Sequence, residues 1–100
     1  MAIEENQITP LQARIAEVEQ YEKNIELYKS MLKNLPTEWP KRLEQYKNVT
    51  DKHKVIGEIS DLDDVELLSD LWVAEDCIKA IRTETLEKRK AQAILTILQK

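Results

Sequence analysis

Glycine is nearly missing from this chain: Gly57 is the only one among 100 residues, and proline occurs only as Pro10, Pro36 and Pro40. Tight turns between strands draw on Gly, Asn and Pro, so a sheet protein is poorly served by this composition. One glycine also rules out a glycine-rich phosphate-binding loop. There is one cysteine, Cys77, and one histidine, His53. Two such residues cannot ligate a structural zinc, and a lone cysteine cannot close an internal disulfide. A reducing, cytoplasmic location is therefore expected. The start, MAIEENQ, has neither a basic nor an apolar signal region, and no apolar run approaches the ~18 residues of a membrane span. A soluble protein is expected.

What remains is helix-forming material. Ala, Glu, Lys, Leu and Arg supply 47 residues, and Leu, Ile and Val supply 27. The first figure suits long helices or coiled coils; the second is too high for a disordered tail. The length suits one domain, 1–100. A net charge of −4 argues against a general nucleic-acid binder.

In ITPLQ, Thr9 is placed to cap a helix, Pro10 suits its first position and Gln12 completes a capping box. Apolar residues follow at Leu11, Ile15, Val18, Tyr21, Ile25, Tyr28, Leu32 and Leu35, a spacing near 3.5. Leu27 and Met31 widen this stripe, so the first helix is expected to touch two neighbours. The segment PTEWPKRL reads as stop, cap and start. Pro36 ends the helix, Thr37 caps the next, and Pro40 loses no intrahelical bond at its third position. A proline-directed docking motif is the weaker alternative, for no PxxP-type run surrounds these residues. The second stripe carries Trp39, Leu43, Tyr46, Val49 and Ile56, with Gly57 as its natural terminator.

Ser60 and Asp61 compete to cap the last helix. Its apolar positions run from Val65 through Leu68, Leu71, Trp72, Ala74, Ile78 and Ile81, then from Leu86 to Leu98. The stripe changes phase near Arg82–Thr85, where a kink is conceivable. The expected architecture is all-α, a three-helix antiparallel bundle or coiled-coil hairpin with a long C-terminal helix. Helices are expected over 9–35, 37–56 and 61–99, with residues 1–8 a flexible lead-in.

Nucleophilic catalysis has little to draw on. Cys77 lies among acids in AEDCIKA, which raise a thiol pKa, and so reads as a core or boundary residue. His53 sits among lysines and reads as a surface residue. DLDDVE lacks the glycine and glutamate of a calcium loop. A metal-dependent helical hydrolase would hold magnesium with carboxylates one turn apart; Glu19 with Glu22 and Glu66 with Asp70 have that spacing, but the expected second motif does not follow. A nucleic-acid binder would use Lys41, Arg42, Lys47, Lys52 and Lys54, with Trp39 and Tyr46 interleaved. No catalytic, cofactor or metal-binding residue is assigned.

The favoured expectation is a non-enzymatic helical interaction module, an adaptor, assembly factor or inhibitor. Residues 58–76 hold eight acids and no base. Asp61, Asp63, Asp64, Glu66 and Asp70 are the candidate contacts for a basic partner protein. In AQAILTILQK, Ala93, Ile94, Ile97 and Leu98 line one helical face and are the candidate homodimer contacts, on a last helix expected to overhang its bundle.

Overall fold

The computed structural model describes residues 9–100, so the lead-in expected at residues 1–8 lies outside the described residues. Three α-helices occur among them, α1 (Pro10–Leu32), α2 (Lys52–Glu58) and α3 (Leu62–Leu98), with a 3-10 helix at Lys41–Tyr46 between α1 and α2. There is no strand among the described residues. The all-α class holds.

The start of α1 is set by its own side chains. Gln12 donates its backbone N–H to Thr9 Oγ1 at 3.1 Å, and Gln12 Oε1 accepts from the Thr9 N–H at 3.1 Å. Two donors that have no helical partner are thereby satisfied. The other end falls at Leu32 rather than Leu35. Ahead of Pro36 the chain tightens, with Lys33 N–H bonding Ser30 O at 3.3 Å and Leu35 N–H bonding Leu32 O at 3.1 Å.

The single middle helix expected over 37–56 is replaced by two short pieces. Thr37 makes no cap; extended Pro40, at φ −60° and ψ 143°, precedes the 3-10 turns instead. The stretch Asn48-Val49-Thr50-Asp51 then breaks the helical pattern, because Asn, Thr and Asp favour caps and turns over helix interiors. Asp51 accepts the Lys54 N–H at 3.0 Å and starts α2. Gly57 is not the terminator: it lies inside α2, no glycine has positive φ, and Ile59 ends the helix in extended backbone.

The helix α3 runs unbroken for 37 residues, about 55 Å, with Asp61 as its cap. Asp61 Oδ1 accepts the Asp63 N–H at 2.9 Å and the Asp64 N–H at 3.4 Å. The conceivable kink near Thr83 is absent. The phase change in its apolar stripe has a different cause, which is a change of partner. Leu68, Leu71 and Trp72 join Leu43 in a buried cluster, onto which Trp39, Tyr46, Val49, Val55, Ile56 and Ile59 pack from the connecting segment. Ala74, Cys77 and Ala91 are buried further along, where α1 lies against α3. At 100° per residue, the face centred on Leu68–Leu71 and the face centred on Cys77–Ala91 point to nearly opposite sides of the helix.

In place of the expected three-helix bundle, the strongest helix pairing is of α1 on α3. Asn24 Nδ2 donates to Glu84 Oε2 at 3.2 Å, and Lys88 Nζ reaches Glu22 Oε1 at 4.0 Å, so the two helices are antiparallel. Extended residue for residue, this register sets Val18 level with Ala91 and Pro10 level with the last turn of α3. The tail of α3 therefore does not overhang; α1 accompanies it to the end. The surplus length of α3 lies at its N-terminal end and is covered on one side by the connecting segment. The molecule is a rod of 61 × 30 × 24 Å, with a radius of gyration of 19.8 Å against roughly 13 Å for a spherical chain of this length.

Within the α1–α3 seam the stripe is shifted slightly from its expected line. Val18 and Ile25 are buried, but Ile15 is exposed while the neighbouring Arg14 is half-buried. Trp39 is only half-buried, while Trp72 is 4% exposed. The indole Nε1–H of Trp72 has no hydrogen-bond partner among the described residues, and Lys52 Nζ stands 5.5 Å from its ring.

These contacts set two stability tests. An unpartnered buried donor costs about 1–3 kcal/mol, so Trp72→Phe removes a penalty along with part of the ring. It should destabilise by no more than about 1.5 kcal/mol, against about 3–5 kcal/mol for Trp72→Ala, in urea titrations followed by circular dichroism. Ala91 allows close approach opposite Val18, so Ala91→Leu should overpack the seam and lower stability by about 1–3 kcal/mol in the same assay.

Candidate interaction surfaces

The five acids singled out at the start of α3 separate into two groups. Asp61 is the helix cap, and Asp64 Oδ1 pairs with Arg42 Nη2 at 3.0 Å, fastening the 3-10 helix to α3. Asp63, Glu66 and Asp70 are exposed and form no ion pair among the described residues. Helical spacing puts these three within about 60° of one another. Leu62, 69% exposed, and Val73, 40% exposed, share their side of the helix. This is the side that α1 covers further along α3. Because α1 stops at Leu32, level with Cys77, the groove continues past its end as a bare face carrying three carboxylates and two apolar side chains. The sequence marked the acids; it gave no sign that Leu62 and Val73 stand out beside them, since that depends on where α1 ends.

The tail residues are also on the surface. Ala93 is exposed, as are Ile94, Ile97 and Leu98 at 37%, 67% and 41%. On α1, Leu27 and Met31 are 59% and 45% exposed, so the second neighbour expected for the first helix does not bury them among the described residues. Together these side chains leave the hairpin with more apolar surface than a two-helix layer can cover.

The carboxylate pairs of the hydrolase alternative stay apart. Glu19 and Glu22 lie on the exposed side of α1, level with the region around Lys88–Lys90, while Glu66 and Asp70 lie at the far end of α3. The separation along the rod is about 25 Å or more. No group of three or more potential ligands gathers at one point among the described residues. The lysines of the nucleic-acid alternative are partly committed elsewhere: Arg42 pairs with Asp64, and Lys52 approaches Asp76 at 3.8 Å as well as the Trp72 ring. Trp39 and Tyr46 pack toward the core instead of standing out as stacking platforms. His53 is exposed and Cys77 buried, each as expected.

One other feature is electrostatic and one is a cavity. Tyr21 donates its hydroxyl to Glu17 Oε1 at 3.2 Å. Partial burial, then that bond and the charges of Glu17, Glu87 and Glu84, push its pKa above 10.0 and keep it a neutral donor. A groove between the connecting segment and α3 is bordered by Thr37, Trp39, Lys47, Ile78 and Arg82, and encloses about 260 Å³. That is below the roughly 300–1,000 Å³ of ordinary small-molecule pockets. No helix of the described residues is long and apolar enough to cross a membrane.

No protein-family model matches the chain, and no curated protein or solved structure matches it.

Proposed function

We propose that this chain is a helical protein–protein interaction module, acting by binding as an adaptor, assembly factor or inhibitor in a reducing, cytoplasmic setting. The observation that carries this reading is the bare face of α3, where Asp63, Glu66 and Asp70 stand exposed beside Leu62 and Val73. Three like charges within two turns repel one another, and surplus apolar side chains at the same place add a cost in water. A basic amphipathic segment of a partner protein relieves both at once: its cations meet the carboxylates and its apolar side chains cover Leu62 and Val73. Such a segment would extend the antiparallel packing that α1 makes further along α3. Asp61 and Asp64 hold the face in place from its edge, through the cap and the Arg42 pair.

The exposed tail supplies a second contact, with another copy of the same chain. Ala93, Ile94, Ile97 and Leu98 form an apolar surface at the end of a two-helix layer. Isologous pairing about a twofold axis is the commonest way such a surface is covered.

Each contact has its own test. Replacing Asp63, Glu66 and Asp70 together by Lys should weaken a partner recovered by affinity purification more than tenfold and flatten the salt dependence of binding, with the melting temperature unchanged or raised. Equal binding by the reversed chain would remove the acidic face from consideration. For the second contact, light scattering should give twice the monomer mass for the intact chain at tens of micromolar. A chain ending at Gln92 should give the monomer mass under the same conditions. A concentration-independent monomer in the intact chain would count against self-association.

A further inference from the structure

We infer that the basic partner of the acidic face is the C-terminal half of α3 in a second copy, joined head to tail; the inference rests on the acidic-face reading and names its occupant. At 100° per residue, Lys79, Arg82, Leu86, Arg89, Ala93 and Ile97 fall within about 80° of one another on α3. All six are exposed, Leu86 and Ile97 at 53% and 67%. This strip continues the Leu68–Leu71 face beyond the end of the connecting segment, on the side of α3 opposite α1. None of its three cations forms an ion pair among the described residues. Nor does Lys47, which meets Lys79 and Arg82 across the groove that Trp39 borders, with Glu75 the one acid in its lining.

The long helix therefore has two bare faces of opposite character. One carries the unpaired carboxylates of Asp63, Glu66 and Asp70 beside Leu62 and Val73; the other carries unpaired cations beside Leu86 and Ile97. They lie on opposite sides of α3 and on its opposite halves, as the two steps of a lap joint do. From Leu62 to Asp76 the first is about 21 Å long, and from Arg82 to Leu98 the second is about 24 Å long.

Only a parallel approach brings the steps together. Let the second copy's α3 lie parallel to the first, displaced by about 22 residues, or about 33 Å, beyond its N-terminal end. The second copy's Arg89 is then level with Leu67, between Glu66 and Asp70 of the first. Its Leu86 is level with Asp64, beside Asp63 and Leu62, and its Arg82 is level with Ser60, beside Asp61. Its Leu98 stops level with Asp76, just short of the place where α1 of the first copy ends. The start of the first α3, rich in acids, points at the groove where Lys47, Lys79 and Arg82 of the second copy gather. An antiparallel approach fails, because it drives the connecting segment of one copy into α3 of the other. The contact is heterologous, so each joint leaves one acidic and one basic face free for further copies. Of the tail residues it uses Ala93 and Ile97 and leaves Ile94 and Leu98 to one side.

Size sets the strength. A joint one helix wide and about 21 Å long, with its end contacts, buries on the order of 1,000 Å² from both copies, which is the range of weak, reversible complexes. Association of this kind grows with protein concentration and falls with salt.

The test uses the full-length chain in sedimentation velocity and light scattering, from tens to hundreds of micromolar. The average mass is expected to climb past twice the monomer as concentration rises, and to fall at high salt. Replacing Asp63, Glu66 and Asp70 together by Lys, or Lys79, Arg82 and Arg89 together by Glu, should weaken self-association at least tenfold. Mixing the two reversed chains should restore it, because each then meets faces of opposite charge on the other. Circular dichroism checks that both stay helical; if either does not, Leu86→Asp, at an exposed position, takes its place with the same tenfold weakening expected. Reversed chains that fail to associate on mixing overturn the joint. A mass that stops at twice the monomer and ignores both reversals also overturns it, and leaves the twofold tail contact standing. A monomer at hundreds of micromolar overturns the joint and leaves the acidic face to a different basic protein. An outside partner bound equally well by the chain with Lys at 63, 66 and 70 overturns the acidic-face reading itself.

Discussion

Everything in this protein hangs on the uninterrupted backbone of α3. Thirty-seven residues of continuous helix give a stiff rod, and the other elements have only to find a face on it. The absence of Gly and Pro from 58 to 100 makes that possible, since either would lower the cost of breaking the helix. Neither α2, with seven residues, nor the six-residue 3-10 helix would hold its shape alone. Both are ordered by Leu43 and its neighbours closing over Leu68, Leu71 and Trp72.

A straight rod with two partners must present two faces, and the turn from one to the other explains several features together. The connecting segment takes the Leu68–Leu71 face, and α1 takes the Cys77–Ala91 face. Near Ala74–Cys77 both partners are present, and the side chains there are small and buried: Ala74 at 1% and Cys77 at 4% exposed. Larger groups at this crossover would hold α1 and the connecting segment apart. Beyond it in each direction one side of α3 has no cover among the described residues. Toward the N-terminus the uncovered side bears Asp63, Glu66 and Asp70; toward the C-terminus, Leu86 and Ile97. The two candidate contacts are thus consequences of one arrangement: each is the side of α3 that its local partner leaves open.

Local signals were legible in the sequence and long-range ones were not. The Thr9 capping box and the length of α3 depend on residues within four positions of one another and could be read directly; between Ser60 and Asp61 the structure chooses Asp61 as the second cap. The middle segment misled because Pro40 is compatible with both a helical third position and the entry to 3-10 turns. What decided was Asn48 to Asp51, where side chains compete for backbone hydrogen bonds and Asp51 opens a new helix. Gly57 looked like a terminator because glycine tolerates positive φ, yet a short helix that ends in extended backbone needs none. The phase change in the last helix was visible, but a kink and a change of partner leave the same trace in a list of apolar positions. Only the third dimension separates them.

The same distinction applies to the candidate site. Five acids in a row looked equivalent, because sequence shows where charge is and not what meets it. Folding engages Asp61 with two backbone donors and Asp64 with Arg42, and leaves Asp63, Glu66 and Asp70 outward. The first two serve the fold, so their loss would weaken a partner contact only through disorder of the helix start. The side chains of the other three form no ion pair or hydrogen bond among the described residues, which leaves them to solvent or to the proposed basic partner. The exposed Leu62 and Val73 are the part of this face that the proposed partner contact addresses. Solubility alone accounts for the carboxylates but gives no reason for two large aliphatic side chains at their edge; a partner that buries both accounts for the whole face.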